Sequence, residues 1–170
     1  MSECLICELI KQRKGVLFES EQVVALLAPE PGAKGQVIVA PKKHTPIIES
    51  VPDFVVAEMF QVANKVGIAV FEALGAQGTN VLVQNGPSAG QKYPHTVISM
   101  IPRFENDRLQ IGWTPKSAVE EELEKLQNAI SQETKNVGIF EKKKEKPIEV
   151  EGPKEVEKDD YRSKHLRRIP

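Results

Sequence analysis

Only two cysteines and three histidines occur among the 170 residues, too few to build a scaffold held by many cross-links. The two cysteines, Cys4 and Cys7, stand in a C-x-x-C arrangement. That spacing excludes a disulfide framework and leaves a metal site, a redox pair or two unrelated thiols. An excess of charge of either sign is also lacking: a net charge of −1 gives no field that would by itself recruit nucleic acid or a membrane surface. No apolar run approaches the roughly 20 residues of a membrane span. The opening Met1–Cys4 lacks the basic-then-apolar pattern of a secretion signal, and no internal repeat is visible. These absences predict a cytoplasmic protein that does not engage membrane.

What is present suits one domain with an appendage. A hydrophobic content of 40% can bury a real core over most of the length. Val16–Ser20 and Gln22–Leu27 read as two short strands around a tight turn, and Gln36–Ala40 as a third, ended by Pro41–His44. Apolar positions at helical spacing (Val55, Met59, Val62, Val66, Ala69) predict a long helix from Pro52 to Leu74, with Gly75 past its end. Two further strands are expected at Asn80–Gln84 and from His95 to Ile101, the second opened by the histidine. Beyond Pro115 the composition changes. Lys116 to Glu133 reads as an amphipathic helix with Val119, Leu123, Leu126 and Ile130 along one side. From Glu141 the chain is dominated by Lys, Glu and Pro, a composition that cannot bury enough apolar surface to fold alone. The expected units are therefore a domain at 1–115, a C-terminal helix at 116–134 and a charged, disordered tail at 135–170.

The candidate metal site follows from the same scarcity. His165 falls in the expected tail, which leaves His44, after the third strand, and His95 to join Cys4 and Cys7. Zinc favours four sulfur or imidazole ligands in a tetrahedron, and Cys₂His₂ is a common closed set. Two strand ends and an N-terminal C-x-x-C can converge at one edge of a sheet. Isolated thiols and satisfied core histidines account for the same residues. A thioredoxin-like redox pair is the weaker reading, because no strand leads into this C-x-x-C and no clear helix carries it onward.

Four segments in order carry a family resemblance. Gly90–Arg103, with His95, Val97 and Ser99 at alternate positions, resembles the signature strand of the histidine-triad (HIT) family. Asn80–Gln91 resembles that family's glycine-rich phosphate loop, Val39–His44 its third-strand end, and Cys4–Cys7 the C-x-x-C of many members. The resemblance covers residues 4 to 115. It implies an α+β fold with an antiparallel sheet of about five strands and a long helix, and a homodimer. It also implies a structural zinc ion held by Cys4, Cys7, His44 and His95.

The resemblance implies nucleotidyl transfer as well, with the middle histidine of the triad attacking phosphorus. Here that position is Val97, which has no lone pair to attack with and no proton to move, and the last triad position is Ser99. No catalytic residue is therefore assigned; His165 would serve only if the tail folded back. Ligand binding also looks eroded, since the ribose-gripping aspartate of the family falls at about Ala28, with Glu30 nearby. Weak nucleotide or phosphate binding is expected at most, through Gln84, Asn85, Ser88, Ala89, Gly90 and Ser99.

The last twelve residues mix aromatic, aliphatic and arginine side chains in a way that purely solvating tails rarely do. Tyr161, Arg162, Leu166, Arg167, Arg168 and Ile169 suit folding onto a protein groove or an RNA surface. The functional expectation is a non-catalytic, zinc-stabilised binding or regulatory module with a protein or ribonucleoprotein partner. The alternative is a nucleotide-binding protein or nucleotidyl hydrolase with weak or unusual activity.

Overall fold

The structure, a computed structural model, describes residues 4–138; the basic terminal segment from Tyr161 to Ile169 and His165 lie outside the described residues. Five strands form one antiparallel sheet: β1 (Val16–Glu19), β2 (Val23–Leu27), β3 (Val37–Pro41), β4 (Gly78–Val83) and β5 (Ile98–Arg103). Their spatial order is β1-β2-β3-β5-β4, so β1 and β4 are the edges. The helices are α1 (Leu5–Gln12), α2 (Asp53–Leu74) and α3 (Glu120–Glu133). The α+β architecture matches the expectation from the residue pattern.

The alternation of side chains across the strands explains why both sheet faces are covered. Val23 and Ala25 of β2, Val37 and Val39 of β3, and Ile98 and Met100 of β5 pack against Val55, Met59, Val62, Ala63 and Val70 of α2. The intervening residues Val24, Leu26, Ile38 and Ala40 pack against Ile6 and Leu9 of α1. Strands sandwiched in this way read as continuous apolar runs, which is why β2 and β3 show no polar face. Gly67 is where α2 lies closest to the sheet: a Cβ there would sit 2.7 Å from the Met100 Cε. The helix ends at Gly75, whose φ of 64° provides the left-handed cap.

Several expectations need correction. A helix does carry the C-x-x-C onward, because α1 begins at Leu5 and includes Cys7. His95 does not open the last strand; β5 starts at Ile98, since Thr96 is tied to Thr45 of the β3–α2 connection and the His95 ring to Pro41 at the end of β3, not through the ladder. The core face of α2 keeps the predicted Val55, Met59 and Val62, with Val66 partly buried, but continues through Ala63, Gly67 and Val70, while Ala69 is exposed. α3 starts four residues later than expected, at Glu120. Finally, α2 has the length and mean hydropathy (1.5) of a membrane span, yet one face of it is the core of this domain.

Candidate metal centre and adjoining cleft

α1 and the β3–α2 connection meet at the rim of the sheet beside β5. Ile6 and Leu9, three apart on one helical face, seat α1 on Val24, Leu26 and Ile38, which swings Cys4 and Cys7 toward the chain following β3. On the other side the Thr96 N–H and hydroxyl both donate to the Thr45 carbonyl, at 2.7 and 3.0 Å. That clamp brings His44 and His95 together, with ring centroids 5.2 Å apart and planes near perpendicular at 79°.

One ligand atom from each of Cys4, Cys7, His44 and His95 lies within 4.8 Å of the others. The Cys7 Sγ is 3.3 Å from the His44 Nδ1 and 3.5 Å from the His95 Nδ1, and the Cys4 Sγ is also 3.5 Å from the His95 Nδ1. A tetrahedral site with bonds of about 2.3 Å to sulfur and about 2.0 Å to nitrogen has S···N edges of roughly 3.5 Å. The fit extends to the hydrogen bonding. His95 is fully buried, and its Nε2 is 2.9 Å from the Pro41 carbonyl, which can only accept. The proton therefore sits on Nε2 and the Nδ1 lone pair faces the two sulfurs. One lone pair cannot accept from two thiols well, whereas four donors around a cation are all satisfied. Burial holds His95 below the ordinary imidazole range, so it is neutral and ready to ligate. Burial and the adjacent Cys4 push the Cys7 thiol up, the cost that a divalent cation offsets by taking the thiolate.

The phosphate-loop residues fare differently. Gln84 and Ser99 do face one cleft, with Val97, Ala28, Ile38 and Gln36. This cleft holds about 60 Å³, against the roughly 300 Å³ at which small-molecule pockets begin. Lys92 and Glu30, which line it, form an ion pair, and Val97 packs against the cluster of Ile6, Leu9, Val24, Leu26, Ile38 and Ala40. Asn85 is turned away: its Oδ1 accepts from the Ile48 N–H at 3.0 Å, and its Nδ2 donates to both Glu49 carboxylate oxygens at 2.7 and 2.8 Å. Ser88, Ala89 and Gly90 are exposed on a tight turn in which the Ala89 and Gly90 amides are already engaged. The Gly86 N–H donates to Gln91 Oε1, and the Ala89 and Gly90 N–H groups donate to the carbonyls of Gly86 and Pro87. Gln36, Gln91, Lys92 and Tyr93 were not singled out from sequence as lining residues. Gln91–Tyr93 lie within the signature stretch, but nothing in its pattern says which side chains turn inward.

The HIT-domain family model matches residues 11–106. The chain belongs to the HIT family. Its matched relatives include adenylylsulfatase HINT3 of Arabidopsis thaliana, 34% identical over 118 residues, which are 68% of this chain and 58% of that protein. Among solved structures, SMU.412c from Streptococcus mutans UA159 has a TM-score of 0.73 at 27% identity, covering 78% of this chain and 86% of that one. A Zn-bound histidine triad family protein from Mycobacterium smegmatis has a TM-score of 0.60 at 28% identity, covering 76% and 94%. Within the HIT fold, the Cys4, Cys7, His44 and His95 cluster can hold a metal ion.

Proposed function

We propose that this HIT domain is a zinc-stabilised, non-catalytic module that binds or regulates a partner. The observation that carries the reading is the cleft beside His95. The position that the family resemblance assigns to the nucleophile is Val97, which packs against the apolar cluster between α1 and the sheet, and the residue two further on is Ser99. Neither side chain supplies an imidazole, and zinc with four protein ligands leaves no open position to activate water. The Gly86, Ala89, Gly90 and Gln91 amides of the neighbouring turn are spent on their own loop. The metal set, by contrast, is complete, which supports retention of this domain for its shape. Zinc is the ion of choice for two thiolates and two imidazoles, and the Mycobacterium smegmatis relative is zinc-bound.

The same reading includes a cytoplasmic homodimer. β4 is an edge strand paired on one side only, with β5, and the outward side of α2 beside it exposes Phe60, Ile68 and Phe71 next to Val81. A contiguous apolar surface at a free strand edge is a ready pairing site for a second copy. The partner is assigned to the terminal segment, through Tyr161, Arg162, Leu166, Arg167, Arg168 and Ile169, on composition alone. The alternative, weak nucleotide binding or hydrolysis, draws on the adenylylsulfatase name of the Arabidopsis relative and on the polar cleft of Gln84, Gln91 and Ser99.

Affinity capture from native lysate with the full chain and with a version ending at Lys158 tests the binding role. A specific protein or ribonucleoprotein recovered only with the full chain supports it. The same set of proteins recovered by both versions contradicts it.

A further inference from the structure

Metal binding does not exhaust the chemistry of Cys4 and Cys7, because α1 starts between them. Cys4 caps the helix with extended backbone angles (φ −79°, ψ 113°), and Cys7 is its third residue. The Glu8 N–H donates to the Cys4 carbonyl at 3.1 Å, so the winding begins at Cys4. Three helical steps separate Cα atoms by about 5 Å, within the roughly 4.4–6.8 Å that a disulfide spans. The two sulfurs converge as well: they lie within 4.8 Å of each other and share the His95 Nδ1 as a neighbour, each at 3.5 Å. They are the only cysteines in the sequence, so an intramolecular disulfide has a single possible pairing. Access differs between them. Cys7 meets the exposed His44 at 3.3 Å, whereas Cys4 packs against the apolar cluster of Ile6, Leu26 and Ile38.

We propose that Cys4 and Cys7 form a site of reversible oxidation, at which a hydroperoxide closes a disulfide between them and releases the metal. The release rests on the zinc reading; the disulfide does not. A thiolate held by a cation is already deprotonated and nucleophilic. The Cys7 sulfur attacks the peroxide: an S–O bond forms, the O–O bond breaks, and the departing oxygen takes a proton from solvent to leave as alcohol or water. The Cys4 thiolate then attacks the Cys7 sulfenic sulfur. The S–S bond forms, the S–O bond breaks, and hydroxide leaves as water with a second proton from solvent. Two electrons have passed from the pair of sulfurs to the peroxide. His44 and His95 remain as half of a tetrahedral set, too few to retain the cation. α1 then keeps only Ile6 and Leu9 as buried anchors, and eight residues are too few for a helix to stand by itself. Oxidation thereby loosens the cover that α1 provides over Val24, Leu26 and Ile38.

The test titrates the full zinc-loaded chain with hydrogen peroxide and follows peptide mass together with zinc released to a chromogenic chelator. The expected result is loss of two hydrogens from the peptide that holds Cys4 and Cys7, zinc released in step with the disulfide, and reversal of both by dithiothreitol with added zinc. Zinc retained while the disulfide accumulates overturns the proposal, as do sulfinic or sulfonic acids or chains joined to one another in place of the internal bond. Metal content before oxidation separates the two readings. A chain that binds no zinc sinks the zinc reading and the coupled release with it. A zinc-loaded chain that forms no internal disulfide sinks this inference and leaves the zinc reading standing. The order of attack is read in single variants with dimedone, which traps sulfenic acid. Cys4→Ser should collect the adduct on Cys7, and Cys7→Ser little on Cys4; equal trapping in the two variants overturns the assignment of Cys7 as the attacking sulfur.

Discussion

Removing the metal should loosen the domain by an amount that the chain connectivity fixes. A cation bound by Cys7 and His44 closes a stretch of 37 residues, and one bound by Cys4 and His95 a stretch of 91. Treated as a cross-link, closing a loop of about 40 residues is worth about 4 kcal/mol through the unfolded chain alone. Mass action arrives at the same size: free metal at about 1,000 times its Kd stabilises by about 4 kcal/mol. For a domain of roughly 100 residues this corresponds to a drop in melting temperature of about 15–30 °C. Circular-dichroism melts of the full chain, with and without a strong chelator, measure it. Cys7→Ser should melt near the chelated wild type and respond little to chelator. A wild-type shift below about 3 °C, or an equal chelator response in the variant, would refute the clasp between α1 and the histidine pair.

Other consequences follow from the packing. Ile6→Ala deletes three buried carbons from the contact between α1 and the sheet and should cost about 3 kcal/mol in urea unfolding; a loss under about 1 kcal/mol would mean that α1 is not seated on β2 and β3. Phe71→Glu places a charge on the half-exposed apolar flank beside β4 and should halve the mass seen by light scattering without lowering the melting temperature. Asp107 accepts from the Arg103 guanidinium at 2.6 and 2.9 Å and from the Phe104 and Leu109 amides, which holds its carboxyl well below the usual range. Its contribution is thus present above an unfolded pKa of about 3.9 and is lost as pH falls through the lower folded value. The protection factor of the Leu109 amide, its exchange rate set against the intrinsic rate at the same pH, should fall on acidification below about pH 4, and Asp107→Asn should abolish that fall; an unchanged profile in the variant would assign it elsewhere.

Legibility in the sequence followed the range of the forces involved. β2, β3 and α2 could be located because their apolar periodicity is long and strong, and Cys4, Cys7, His44 and His95 because so few other candidates exist. α1 was missed because eight residues with Lys11 and Gln12 at the end are too short to signal a helix; burial of Ile6 and Leu9 makes it form. The sheet placement of His95 was missed for a related reason. The period-2 pattern of His95, Val97 and Ser99 looks like strand throughout, but the Thr96–Thr45 and His95–Pro41 bonds take the first residues out of the ladder. The C-terminal end of the α2 face was misjudged, with Ala69 expected where Gly67 and Val70 are buried, because Gly67 carries no hydrophobic signal, although its lack of a side chain is what lets Met100 approach. Asn85 illustrates the limit for site residues: its type fits a phosphate loop, and only coordinates reveal that Ile48 and Glu49 already occupy it.

The most direct test of the central claim is turnover. Metal-loaded full-length protein is incubated with adenosine phosphoramidate and with dinucleoside polyphosphates, and released AMP is followed by chromatography beside a protein-free control. The account predicts release indistinguishable from the control, because Val97 has no lone pair to attack phosphorus and Ser99 does not supply an imidazole. Release above the control that disappears in Ser99→Ala, while the melting temperature is unchanged, would contradict it and make this domain an enzyme with a chemistry of its own.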